Sequence, residues 1–244
     1  MITQGNTKLG PAIWGWSIPA EKTCPGASAA CLEVCYGLTG RFLMPNVKAA
    51  HKQNYKISKT DHFTSWMTGM IKDFWVQVLR IHVVGDFYDE AYIAKWHNIV
   101  KANPRTKFFA FTRSWTEVEL YEPLLALANE RNVRMWWSWD VSMPVPPNDR
   151  GVRRCYLSGN DFDQPPAKKA DLIFRDDQST VLKVIDDGTL VCCYDNGVDY
   201  AKGQMTCSKC GICWKNKKAP KRKRYARKDD NNDNAHADTA RSGH

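Results

Sequence analysis

The feature that most restricts the fold is a regular alternation of apolar strands and amphipathic helices in the middle of the chain. Three apolar segments predict strands, at residues 79–84 (LRIHVV), 107–112 (KFFAFT) and 133–139 (VRMWWSW). The segments between them have helical periodicity, at residues 90–102 and 116–129. Strands that alternate with helices at this spacing form βαβ units. The pattern therefore predicts an α/β fold with a parallel sheet.

The rest of the chain has weaker or different patterns. Two helices are predicted before the alternation, at residues 46–57 and 62–78, and weak strands after it, at residues 153–157, 171–175 and 181–185. We divide the chain into an α/β domain (residues 1–186), a small cysteine-rich module (187–214) and a basic tail (215–244) that we expect to be disordered. With 43% hydrophobic residues, the chain can form a folded core.

Polar residues follow the three central strands and form a candidate ligand site. The residues concerned are Gly85, Asp86, Arg113, Ser138 and Asp140. Ligands of parallel α/β folds bind outside the carboxyl ends of the strands, so these residues are candidates for binding a cofactor. Glycine permits a close approach to the backbone, and arginine can bind a carboxylate through two hydrogen bonds. The alternative is that these residues are helix caps or turn residues.

Three cysteines near the N-terminus form the first candidate metal site. Cys24, Cys31 and Cys35 are separated by six and three residues. Three cysteines can hold three irons of a 4Fe-4S cluster and leave the fourth iron open to a small ligand. The alternative is a structural zinc site completed by a histidine or a distant cysteine.

A second group of cysteines lies near the C-terminus. The run CSKCGIC contains Cys207, Cys210 and Cys213, and Cys193 or its neighbour Cys192 supplies a fourth ligand, with Cys193 the preferred choice. Four cysteines form a closed site, which predicts a structural or electron-transferring 4Fe-4S cluster, with zinc as the alternative. Cys155 stands apart, and we interpret it as a buried cysteine without a metal.

The positive charge of the chain is concentrated in one segment. The formal net charge is +9, and residues 215–228 (KNKKAPKRKRYARK) contain nine basic residues and no acidic one. Such a segment predicts salt-dependent binding to the phosphates of a nucleic acid, and the alternative is a solvated tail. The candidate nucleic-acid-binding residues are Lys217, Lys218, Lys221, Arg222, Lys223, Arg224, Arg227 and Lys228. The N-terminus lacks a signal-peptide pattern and no apolar run is long enough to cross a membrane, so we expect the cytoplasm of a bacterial host.

A cysteine triad in the loop after a first strand, followed by Gly-Asp at the end of a later strand, resembles the radical S-adenosylmethionine (SAM) fold, a partial (βα) barrel. The usual triad of that family is C-x3-C-x2-C, whereas the spacing here is six and three. The resemblance implies that the triad holds a 4Fe-4S cluster whose open iron binds SAM, and that Gly85 and Asp86 contact its amino group. It also implies that Ser138 and Asp140 approach the ribose and that Arg113 meets the carboxylate or the substrate. The C-terminal cluster would be auxiliary.

A closer resemblance is to the gene product 88 family of phage and plasmid proteins. The segments that carry it are SIPAEKTCPGA (17–27), CLEVCYG (31–37), HVVGDFYD (82–89), FTRSW (111–115), SWD (138–140) and CSKCGICW (207–214). This resemblance implies a phage or mobile-element origin and no particular reaction. We therefore expect an iron-sulfur protein, radical SAM-like, that acts on or binds nucleic acid. The alternative is a non-catalytic iron-sulfur or zinc protein that binds nucleic acid.

Overall fold

The structure is a computed structural model that describes residues 1–158, 170–175, 190–192 and 206–215. Its strands are β1 (Thr3–Gln4), β2 (Trp14–Gly15), β3 (Val78–Ile81), β4 (Lys107–Thr112), β5 (Val133–Trp139), β6 (Val152–Ser158), β7 (Leu172–Arg175) and β8 (Leu190–Val191). Its helices are α1 (Ala29–Glu33), α2 (Pro45–Ser58), α3 (Phe63–Asp73), α4 (Glu90–Ala102), α5 (Val118–Ala128) and the single turn α6 (Cys207–Cys210).

The strands form one open sheet in the order of the sequence, from β1 to β8. The seven strands β2 to β8 are parallel, and β1 pairs with β2 in the antiparallel direction. Within the described residues, β1 and β8 remain the two edges, so the sheet does not close into a barrel. The prediction of an α/β fold with a parallel sheet is confirmed.

One face of the sheet is covered by helices and contains the main core. The parallel register pairs Leu79 with Phe108 and Ala110 with Met135, so alternate residues of neighbouring strands point to the same side. These four side chains pack in one buried cluster with apolar residues of α3, α4 and α5. The aromatic residues Trp16, Phe63, Tyr92 and Trp96 belong to the same cluster.

The opposite face, which we call the second face, is covered by the cysteine-containing segment 206–214. Phe109 is buried there with Cys207 and Trp214 around it, and Trp136 is buried beside Cys213. The indole nitrogen of Trp136 donates a hydrogen bond to the carbonyl oxygen of Cys213 at 3.0 Å. Burial on both faces explains why β5 is an almost continuous apolar run.

The segment 206–214 is also bonded to the N-terminal part of the chain. The amide of Cys207 donates to the carbonyl of Lys8 at 2.9 Å, and the amide of Ser208 donates to the carbonyl of Leu9 at 3.0 Å. These bonds satisfy amides at the start of α6, which the hydroxyl of Thr206 also caps. The segment is therefore held at both the strands and the N-terminus.

Three details of the predicted elements were wrong. The strand predicted at residues 79–84 ends at Ile81, because His82 has a left-handed backbone that does not continue a strand. The third predicted helix does not reach residue 78, because α3 ends at Asp73 and β3 already begins at Val78. The helix predicted at residues 116–129 begins only at Val118, and the Thr116 hydroxyl donates to the carbonyl of Arg113 at 3.0 Å. Ser114–Thr116 forms a 3-10 turn that separates β4 from the helix.

His82 lies inside the protein just after β3. Its Nε2 is 2.9 Å from the hydroxyl of Tyr92, and the residue has a left-handed backbone with φ of 62°. Burial lowers the pKa of His82 to about 3, and the nearby charge of Arg80 acts in the same direction. His82 is therefore a neutral, hydrogen-bonded interior residue.

The predicted strand at residues 181–185 and the basic tail lie outside the described residues, except for Lys215. In the described part of the chain, no helix has both the length and the apolar character that crossing a membrane requires.

Candidate functional site

The first candidate site is a loop that folds over the carboxyl ends of the central strands. We call residues 19–44 the cysteine loop, because they carry Cys24, Cys31 and Cys35. The amide of Asp86 donates to the carbonyl of Thr23 at 3.1 Å, which joins the loop to the end of β3. The loop therefore occupies the edge of the sheet where parallel α/β folds bind ligands.

Gly85 makes this close contact possible. Its φ is +88°, and a Cβ atom there would overlap the side chain of Ile18 and lie 2.8 Å from the Thr23 hydroxyl. The sequence predicted that Gly85 permits the close approach of a ligand. In the structure the group that approaches is the chain itself, at the entry to the cysteine loop.

The three cysteines of the loop influence one another electrostatically, and the polar strand ends influence Cys24 and Cys31. Each is partly exposed, and the charges of Cys31 and Cys35 influence that of Cys24. Burial and, to a smaller extent, the nearby Asp86 carboxylate raise the pKa of Cys24 to about 12. Burial also raises the pKa of Cys31, although the Arg113 guanidinium opposes this shift. The thiols of Cys24 and Cys31 are therefore protonated in the absence of a metal, and metal binding would release their protons.

Asp140 and Arg113 form a buried ion pair beside the cysteine loop. The guanidinium Nη1 of Arg113 donates to Oδ2 of Asp140, and the Ser28 hydroxyl donates to the same oxygen. The carboxylate also accepts hydrogen bonds from Ser142. Burial alone would raise the pKa of Asp140, but the hydrogen bonds from Ser142 and Ser28 and the charge of Arg113 hold it below its usual value. The carboxylate is therefore ionised near neutral pH.

Ser28 connects this ion pair directly to the cysteines. Its hydroxyl oxygen accepts from the amide of Cys31 at 3.0 Å as the N-cap of α1, and it also accepts from Arg113 at 3.2 Å. The position of Cys31 is thus determined by the same network that holds the ends of β4 and β5. The sequence signal for Ser28 was available, since a serine three residues before Cys31 has the spacing of a helix N-cap.

Asp86 is a structural link between two strand ends. Its Oδ1 accepts from the amide of Phe87 and its Oδ2 from the amide of Arg113, both at 2.8 Å. Burial raises its pKa to about 6, although hydrogen bonds from Thr112 and from these amides act against the shift. Both carboxylate oxygens thus bond to the chain itself.

Of the predicted strand-end residues, four come together and one does not. Gly85, Asp86, Arg113 and Asp140 all lie beside the cysteine loop, where they contact one another or the loop. Ser138 instead pairs in register with Cys155 of β6, whose side chain is buried on the second face. Cys155 is fully buried, as predicted.

Gly26 offers a direct test of how tightly the cysteine loop must pack. A Cβ atom at Gly26 would overlap the backbone carbonyl of Arg113 and lie 2.8 Å from the Thr116 hydroxyl. We expect Gly26→Ala to lower the free energy of unfolding by about 1–3 kcal/mol, because overpacking a tight contact forces the backbone to move. Urea denaturation measures the change.

Gly69→Ala is the control, because Gly69 lies in α3 with open space around it, and alanine there should stabilise the helix by about 0.5–1 kcal/mol. Equal stability of Gly26→Ala and wild type would contradict the packing described here.

The second candidate site lies on the second face of the sheet. Four cysteines line one cavity together with Leu172, Gly211 and Ile212. The four are Cys192, Cys207, Cys210 and Cys213. Burial raises the pKa of Cys213 well above its usual value, and the other three cysteines add to the shift. Cys193, the ligand preferred from the sequence, lies outside the described residues.

Positive side chains surround this second group of cysteines. Arg80 and Lys8 both act to lower the pKa of Cys207, against the stronger effect of burial, which raises it to about 11. Arg153 donates a hydrogen bond to the carbonyl of Ile212 at 3.0 Å, within the run of cysteines. The sequence did not indicate that Arg80 lies near these cysteines, because Arg80 is part of a strand that was predicted to be apolar.

Among the described residues, no three cysteine, histidine, aspartate or glutamate side chains stand close enough to hold one metal ion as they are placed. The eight candidate nucleic-acid-binding residues, from Lys217 to Lys228, lie outside the described residues.

Comparison with known proteins finds a match over most of the chain. The family model described as "Gene product 88" matches residues 1–216. The chain is 24% identical over 206 residues to the Gene 88 protein of Mycobacterium phage L5, a match that covers 78% of this chain and 77% of the phage protein. It is 25% identical over 213 residues to the Gene 88 protein of Mycobacterium phage D29, covering 81% of this chain and 80% of the relative. No solved structure matches the chain.

Proposed function

The chain belongs to the Gene product 88 family, and we propose that it is an iron-sulfur protein whose cysteine loop binds a 4Fe-4S cluster for radical SAM-like chemistry. The observation that carries this proposal is that one loop, hydrogen-bonded to the end of β3, places three partly exposed thiols beside the carboxyl ends of parallel strands. Cys24, Cys31 and Cys35 would hold the cluster and leave one iron without a protein thiolate. Thiolate is the usual protein ligand of such clusters, so the donor set suits the group.

The surroundings of the triad support a role for that open position. The Arg113 guanidinium is close enough to Cys31 to influence its pKa. A ligand carboxylate arriving there would compete with Asp140 for Arg113. When bound, the cluster would supply one-electron chemistry to a ligand such as SAM. The protein residues would contribute the position of the loop, the fixed charges and the exclusion of water by the buried strand ends.

The four cysteines of the second face would hold an auxiliary centre, either a second 4Fe-4S cluster or zinc. Four thiolates close a site to other ligands, so this centre would be structural or would transfer electrons. Its position against Trp136 and Phe109 supports a structural role, because the centre would hold the segment 206–214 on the sheet.

The test is anaerobic reconstitution with iron and sulfide, followed by addition of SAM and dithionite. We expect a brown protein whose electron paramagnetic resonance spectrum changes with SAM and which releases 5′-deoxyadenosine. If the protein carries a full cluster, its spectrum does not change with SAM and it releases no 5′-deoxyadenosine, the proposal of radical SAM-like chemistry is wrong. A colourless protein that takes up only zinc would overturn the iron-sulfur part as well.

The basic segment favours a second candidate, a non-catalytic metal protein that binds nucleic acid. The observation behind it is the concentration of nine basic residues within residues 215–228. The logarithm of the binding constant falls linearly with the logarithm of the salt concentration. On duplex DNA, this slope becomes steeper by about 0.9 for each phosphate that the protein neutralises. The same segment would bring the enzyme of the first proposal to a nucleic-acid substrate.

Deletion of residues 215–228 is expected to flatten the salt dependence of DNA or RNA binding. Fluorescence anisotropy at several salt concentrations measures the slope. Deletion of residues 229–244 is the control, because that tail contains four aspartates and one arginine and should not contribute contacts to phosphate. Binding with an unchanged slope after the first deletion would remove nucleic acid as the partner of this segment.

A further inference from the structure

One arginine lies between the two groups of cysteines. Arg80 is in β3, and the parallel register pairs it with Phe109 of the second face. Its guanidinium lies 5.3 Å from the ring centre of Phe111, which packs with Cys213. The thiols of Cys207, Cys213 and Cys192 are close enough to raise the pKa of Arg80, together with Tyr36 and against the lowering effect of burial.

The other end of the same guanidinium reaches the cysteine loop. Its Nη2 donates to the hydroxyl of Tyr36 at 3.2 Å, and its Nε donates to the carbonyl of His82 at 3.2 Å. The Tyr36 hydroxyl in turn donates to the carbonyl of Val83. Tyr36 directly follows Cys35, so this pair of bonds attaches the last cysteine of the loop to the residues after β3.

We propose that Arg80 is a positioning residue shared by both groups of cysteines. Its charge offsets the negative charge of a metal-bound set of thiolates on the second face, and its hydrogen bond to Tyr36 holds the cysteine loop in place. A buried tetrathiolate centre carries a net negative charge, which is costly to bury without a compensating cation. Arg80 thus donates a hydrogen bond to the cysteine loop at Tyr36 and lies over the ring of Phe111 on the second face. This inference rests on the proposed metal binding by the four C-terminal cysteines.

The test uses Co²⁺ as the probe, in the full chain with Cys24→Ser, Cys31→Ser and Cys35→Ser, so that only the second face can supply a set of thiolates. Competition with a chelator, followed by thiolate-to-cobalt absorption, measures affinity. We expect Arg80→Gln to weaken Co²⁺ binding about 10- to 100-fold, the usual effect of losing a residue that supports metal ligands. Arg80→Lys keeps the charge and should remain within a few-fold of the parent. Arg131→Gln removes the same charge from an exposed turn and should change nothing.

A second measurement addresses the link to the loop in the otherwise wild-type chain. Limited proteolysis within residues 36–44 should become faster in both Arg80→Gln and Tyr36→Phe. Tyr36→Phe in the triad-free chain should bind Co²⁺ as its parent does, because it keeps the charge of Arg80. Parent-like Co²⁺ affinity in Arg80→Gln, or equal losses in Arg80→Gln and Arg80→Lys, would overturn the proposal. A triad-free chain that binds no Co²⁺ would also overturn the proposal. That result would not bear on the cluster of the cysteine loop, which is tested separately in the wild-type chain.

Discussion

A chain that carries Cys24→Ser, Cys31→Ser and Cys35→Ser is expected to lose about four iron atoms per molecule after anaerobic reconstitution, the content of one 4Fe-4S cluster. It should also lose any spectral response to SAM. The reason is that the proposed cluster has three thiolate ligands, all in the cysteine loop. Serine is close in size to cysteine, and the three side chains are partly exposed, so we expect the fold to persist. Iron and acid-labile sulfide analysis of the purified chain measure the change.

The matched control is Cys155→Ser. Cys155 is fully buried on the second face, and its thiol donates to the carbonyl of Trp137 at 3.6 Å, a bond that a serine hydroxyl can also make. This variant should keep all its iron. Full iron content in the triple variant would contradict a cluster at the triad and would leave the C-terminal cysteines as the only iron site.

The second large effect is expected from Cys192→Ser, which should remove the metal of the second face. Cys192 is buried and lines the same cavity as Cys207, Cys210 and Cys213, and a closed tetrathiolate site loses most of its affinity with one ligand. Because a metal that binds only the folded state adds to its stability, the variant should also unfold at a lower temperature. Metal analysis and thermal unfolding with and without a chelator test both points. The chelator should destabilise the wild type more than the variant.

Cys193→Ser is the control from the adjacent position, and it decides between the two candidate ligands. We expect it to keep its metal and its response to the chelator. If Cys193→Ser loses the metal and Cys192→Ser keeps it, the ligand preferred from the sequence is the correct one. If both variants keep the metal, neither residue is a ligand, and the cavity of the second face is not a tetrathiolate site.

The sequence predicted the central part of the fold well, because each element there has a strong local signal. The strands at Lys107–Thr112 and Val133–Trp139 and the helix at Glu90–Ala102 have the predicted bounds. The bounds of α3 and α5 were less accurate. Their ends depend on contacts between distant residues, such as the bond from Thr116 to Arg113, which competes with capping of the helix.

The sequence predicted that polar strand-end residues lie together, which holds for four of the five, but it did not predict how they bond. Three strand ends with polar residues were enough to place Asp86, Arg113 and Asp140 near one another. The sequence could not show that the cysteine loop folds onto them, or that Arg113 and Asp140 pair across 27 residues. It also could not distinguish Cys192 from Cys193, since the two cysteines are adjacent and have the same chemistry.

The burial of the second face has a consequence for the order in which the protein is made. The aromatic residues Phe109 and Trp136 are synthesised early, whereas the segment that covers them ends at residue 214. During synthesis on the ribosome, the second face of the sheet therefore remains exposed to solvent until residues 206–214 have emerged. Exposed apolar strands are prone to aggregate during that interval. Production of this protein should consequently depend on how quickly the last cysteines reach the sheet, and on whether metal is present when they do.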